Sequence, residues 1–189
     1  MRAPLIAALI AATATAAMLV AAIPTDAALE RRAGRSGPTT FDGSCRFSGI
    51  VEFRPALTTD AQPAKGTARA VGPCSGTVTG PRGREREIDR RRVRYVARNR
   101  GEVSCGSGVA EGGGALVFPR HRIRFRLEET RAAAAAALEL RGRAGGSASG
   151  QARVSEREDP AEIAARCSGR GLRAARVDID IATSPAISG

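Results

Sequence analysis

Arg120-His121-Arg122-Ile123-Arg124-Phe125-Arg126-Leu127 alternates strictly. Arg120, Arg122, Arg124 and Arg126 share one parity, and His121, Ile123, Phe125 and Leu127 share the other. A period of two is that of a half-buried strand, because successive side chains point to opposite faces. One face of this strand wants a core. The other is a ladder of guanidinium groups.

The same pattern recurs upstream, where Val93, Tyr95 and Ala97 alternate with Arg92, Arg94 and Arg98. Asn99-Arg100-Gly101 then reads as a turn, and Gly112 to Gly114 as a second turn before a strand at Ala115 to Phe118. Nearer the start, Cys45 to Phe53 reads as a strand with a bulge at Gly49, followed by a loop from Pro55 to Gly66. Thr67 to Thr79 is a strand interrupted at Gly72-Pro73, and Gly80-Pro81-Arg82-Gly83 is a tight turn.

The alanine run Ala132 to Ala137 offers helix propensity, but Leu138 and Leu140 are spaced as in a strand and Gly142 follows at once. It reads as the return strand of a hairpin. Gly145 to Val154 continues as a strand of small residues. Asp159, Pro160 and Glu162 have the chemistry of a helix start, and Gly169 and Gly171 that of its end. Ile163 and Cys167 share the inward face of that helix. Leu172 to Ile181 alternates Val177, Ile179 and Ile181 with Arg176, Asp178 and Asp180, which predicts a last strand whose carboxylates meet arginines across the sheet. Many short strands with Gly/Pro turns predict an all-β fold: a disulfide-bonded antiparallel β-sandwich or barrel with one short helix near the C-terminus.

Met1-Arg2 followed by the apolar or small stretch Leu5 to Ala22 has the pattern of a secretory signal peptide. The expected organisation is a signal peptide over residues 1–27, a flexible lead-in over 28–42 and one β-rich domain over 43–189. Cys45, Cys74, Cys105 and Cys167 all follow the signal, and no Cys-x-x-Cys pair suggests zinc. In an exported chain this predicts two disulfides, Cys45–Cys74 and Cys105–Cys167. The mature chain is expected to be secreted or envelope-associated, with no membrane span after the signal is removed.

The net charge of +11 is carried by arginine with the single exception of Lys65. Abundant Ala, Gly and Arg beside one lysine and one asparagine is the output of GC-rich codons, as in a GC-rich bacterium. Arg92, Arg94, Arg98, Arg120, Arg122, Arg124 and Arg126 are the candidate anion-binding set, since the planar guanidinium fork suits phosphate and carboxylate. The expected partner is an anionic polymer of the cell envelope; nucleic acid is not expected as the physiological partner.

Catalytic motifs are lacking. His121 is the only imidazole, and Gly-x-Ser-x-Gly does not occur. Glu85, Glu87 and Asp89 sit among arginines and read as a solvated charge face. Gly106 to Gly112 is a loose glycine fingerprint that lacks the following helix a dinucleotide needs, so no cofactor is expected. The sequence therefore predicts an exported, non-enzymatic β-domain with a structural or binding role. A secreted hydrolase without a recognisable motif is the alternative.

Overall fold

The computed structural model describes residues 37–189. The expected signal peptide and most of the expected lead-in lie outside the described residues. The elements are β1 (Thr40–Leu57), β2 (Gln62–Thr79), β3 (Glu85–Val103), β4 (Ser107–Val117), β5 (Arg122–Ala132), β6 (Ala135–Gly142), β7 (Ser147–Val154), α1 (Pro160–Ser168), β8 (Leu172–Thr183) and β9 (Ile187–Ser188). From β1 to β8 each strand pairs antiparallel with its neighbour in the chain, and β8 pairs back onto β1. Eight strands thus close a barrel, the second of the two expected architectures. Closure leaves no sheet edge unpaired. The two-residue β9 adds to the start of β1.

Inward rows follow the period of two. Phe41 and Phe47 of β1, Val93 and Tyr95 of β3, Ile123 and Phe125 of β5, and Leu140 of β6 are buried almost completely. The intervening arginines of β3 and β5 are exposed on the outer wall. A barrel that crosses a membrane carries the inverse pattern, with an apolar outer band. Among the described residues no helix is long and apolar enough to cross a membrane.

Several sequence expectations are corrected. The barrel takes in residues from the expected lead-in, since β1 starts at Thr40 and Phe41 is wholly buried. Gly49 is in regular register with Ala70 and Val177; the irregularity in β1 falls between Glu52 and Leu57. The loop between the first two strands is only residues 58–61, because β2 already begins at Gln62, and β2 passes through Gly72-Pro73 without a break. Asn99-Arg100-Gly101 lies within β3, and Gly112 to Gly114 within β4. Glycine there is a packing device. A Cβ built at Gly114 falls 2.6 Å from Cζ of Phe125 and 2.3 Å from the Val96 carbonyl oxygen, so only glycine lets the Phe125 ring lie across β4. Punctuation and close packing use the same residue, which is why composition alone read these glycines as turns.

Other expectations hold. The alanine run is the expected return strand in part: Ala132 closes β5, residues 133–134 form the turn, and Ala135 to Ala137 open β6 as the return strand of the hairpin. Asp159 caps α1, accepting a hydrogen bond from the amide of Ala161 at 2.8 Å, and Cys167 is buried. Disulfides join Cys45 to Cys74 and Cys105 to Cys167. Such bridges persist in non-reducing compartments. The β8 carboxylates do meet arginines, but those of the flanking strands: Asp180 pairs with Arg46 at 2.8 Å and with Arg153 at 3.5 Å. Asp178 accepts from the Ser48 hydroxyl at 2.6 Å, and that bond first of all holds its carboxyl below the ordinary range.

Candidate binding site inside the barrel

The barrel is filled at one end and hollow at the other. Aromatic and branched side chains occupy the inward rows at the filled end, with Phe41, Phe47, Phe118, Ile123, Leu140 and Ile187 in one buried cluster. Along the same strands the rows continue with Gly66, Ala68, Ala97, Ala136, Ala152 and Ala175. Side chains this short cannot meet across an eight-stranded barrel, whose interior is just wide enough for large ones to fill. The result is a cavity of about 1000 Å³. Small-molecule sites typically fall between about 300 and 1,000 Å³.

Tyr95 forms its floor. The ring lies between Phe47, at 5.6 Å between centroids, and Phe125, at 5.7 Å. The roof is α1. It faces the cavity with Ile163, Ala164 and Cys167, and the Cys105–Cys167 bridge ties its last turn to the β3–β4 turn. A helix of nine residues has little stability alone, so its place depends on this tether and on packing. The rim is held by backbone hydrogen bonds between successive strand connections. The amide of Cys105 donates to the Thr58 carbonyl at 2.8 Å, that of Ala133 to Gly106 at 2.7 Å, and that of Val154 to Ala134 at 3.0 Å. The mouth is therefore preformed.

One wall is polar. Glu129 and Arg131 continue the inward row of β5 beyond Leu127, and they pair at 2.6 Å with side chains only 10% and 14% exposed. Asn99 donates its Nδ2 to the second Glu129 oxygen at 2.5 Å. It reaches Glu129 across β4, where the intervening residues are Ala110 and Gly112. Gly66 makes room for Asn99 on the other side, since a Cβ there falls 2.2 Å from Asn99 Oδ1. Arg131 also lies over the Phe53 ring, with Cζ 4.9 Å from its centroid, a favourable cation–π placement. Its Nε is buried with no hydrogen-bond partner among the described residues. Burial first, and the charge of Glu129 second, push the Tyr95 phenol well above its ordinary value.

Comparisons of the chain with protein-family models, with curated proteins and with solved structures found no match.

The arginine set lies elsewhere, on the outer wall. Register places Arg94 and Arg122 on either side of Val117, and Arg98 and Arg126 on either side of Gly113. Arg124 lies between these on β5, Arg92 precedes them on β3, and Arg120 stands in the turn before β5; all seven are exposed. None of them is in an ion pair among the described residues. His121 stands eight residues from Glu129 on β5, about 26 Å along an extended strand, and packs beside Gly80. Glu85, Glu87 and Asp89 are exposed at the start of β3, and Gly108 to Gly112 is strand rather than a phosphate-binding turn.

Sequence reasoning missed Asn99, Glu129 and Arg131. The signal for two of them was present: extending the β5 alternation by two steps puts a carboxylate and a guanidinium on the core face. Charges on that parity are costly unless paired, so they mark either a buried pair or a site. Asn99 carried no such signal, because its segment reads as a turn.

Proposed function

We propose that this chain is an exported, non-enzymatic binding protein that holds a small, largely apolar molecule inside its barrel. The observation that carries this reading is the hollow half of the barrel, with small apolar walls, one convergent polar cluster and a tethered helical roof. Few polar groups in an otherwise apolar, preformed concavity is the usual build of a small-molecule site. The only imidazole lies far from the cavity, and the buried carboxylate there, Glu129, is held in an ion pair with Arg131, which favours binding over the hydrolase alternative.

Titration with N-phenylnaphthylamine, a neutral apolar fluorophore, tests it. The protein is expected to bind the probe saturably, one per chain. Ala68→Leu combined with Ala97→Leu should weaken binding at least about tenfold by filling space, with the fold retained, because volume added into a cavity meets no neighbour to displace. Absence of saturable binding by the unaltered protein would overturn the reading.

A second reading concerns the outer wall and is independent of the first. Seven exposed arginines gathered around the β3–β4–β5 face support contact with an anionic polymer of the cell envelope.

A further inference from the structure

The polar wall of the cavity is specific about what it lacks, and on the reading of the cavity as a ligand site it names the chemistry of the ligand. Both oxygens of Glu129 are in use: one accepts from Arg131 Nη2 and the other from Asn99 Nδ2. The remaining Asn99 oxygen is turned against Gly66. Every acceptor group of the cluster except the Asn99 oxygen thus already has a donor. Donor capacity is what stands unused, since among the described residues only Nη2 of Arg131 is hydrogen-bonded; Nε is buried out of a ligand's reach, which leaves Nη1 to face one. The Tyr95 hydroxyl at the cavity floor adds a second donor.

Charge decides between acceptors. Glu129 already balances Arg131, and Arg153, Glu156 and Glu158 also line the cavity, so the lining carries no excess of positive charge. A ligand carboxylate would bring one more negative charge into a cavity that Glu129, Glu156 and Glu158 already line, beside walls made largely of small apolar residues. Buried charge without its own counter-charge is strongly unfavourable. A neutral oxygen gains a charge-assisted hydrogen bond from the guanidinium and adds no charge. We propose that the cavity selects a neutral, largely apolar molecule with one hydrogen-bond-accepting oxygen, such as an alcohol, ketone or ester, and discriminates against the corresponding carboxylate.

Pyrenebutanol, pyrenebutyrate and butylpyrene share one fluorophore and differ only at the end that would meet Arg131. At neutral pH the purified protein is expected to bind pyrenebutanol about tenfold more tightly than either of the others, the effect of one hydrogen bond to a charged group. Equal or tighter binding of pyrenebutyrate overturns the proposal while leaving the cavity a ligand site. Equal binding of butylpyrene does the same. Failure of all three to bind sinks the cavity reading and this proposal with it. In Glu129→Leu/Arg131→Leu, which removes both charges together, the alcohol should lose its advantage over butylpyrene while butylpyrene still binds. An advantage that survives there would show that the pair does not read the ligand. The comparison on the unaltered protein stands even where that variant fails to fold.

Discussion

Tyr95 stacks on Phe125 with ring centroids 5.7 Å apart, across the glycine-bearing β4 and directly beneath the hollow half of the barrel. It is the only tyrosine in a chain without tryptophan, so its absorbance and fluorescence report the cavity floor alone. The folded phenol keeps its proton above the ordinary value of about 10, while the unfolded chain ionises near that value. A folded pKa raised in this way contributes stability that is present below about pH 10 and lost as pH rises above it. Tyrosinate absorbance is therefore expected to appear together with unfolding, and Tyr95→Phe should remove that component of the alkaline loss. Titration near pH 10 with the sheet intact by circular dichroism would contradict this.

The two disulfides should behave differently. Cys45 and Cys74 are directly paired residues of adjacent strands inside the barrel, whereas Cys105–Cys167 reaches from a turn to α1. Loss of either is expected to cost about 2–5 kcal/mol. Replacing Cys105 and Cys167 by alanine should also raise amide exchange across Pro160–Ser168 well before the strands exchange, and should speed release of a bound probe. Exchange of α1 and barrel in step would show that the helix is held mainly by packing.

Ala133, in the turn between β5 and β6, has φ of 51°. A left-handed backbone costs a residue with a Cβ about 1–2 kcal/mol, and glycine adopts it freely. Ala133→Gly is expected to raise stability by about 0.5–1 kcal/mol after the entropy glycine adds to the unfolded chain. Ala134→Gly, at a position without positive φ, should lower it. Thermal denaturation of the two variants separates these signs.

For the outer arginines the expected signature is salt dependence. Binding to teichoic-type polymers, heparin and DNA should weaken linearly on a log–log plot against salt, with a slope of about 0.9 for each phosphate neutralised on duplex DNA. Changing Arg94, Arg98, Arg122 and Arg126 to glutamine should reduce that slope and leave the melting temperature nearly unchanged, because these side chains are exposed. No binding to any of the three polymers returns the arginines to a solubilising role.

Local chemistry made much of this molecule legible in its sequence. Alternation assigned inner and outer faces to Val93–Ala97, Ile123–Leu127 and Val177–Ile181, because a strand has a strict period of two. Capping chemistry placed α1, because Asp159 and Pro160 satisfy what a helix start requires. Cysteine order was enough to suggest both bridges. Tertiary structure alone decided that β8 returns to β1 and closes a barrel instead of a sandwich, since strand pairing between distant segments leaves no local mark. It also decided that Gly112 to Gly114 and Asn99 lie within strands. A glycine that must flex and a glycine that must yield space look identical until the ring of Phe125 is placed against it. The cavity is of the same kind: each alanine is unremarked along the chain, and only closure of the barrel sets Ala68, Ala97, Ala136, Ala152 and Ala175 around one empty space beside Glu129 and Arg131.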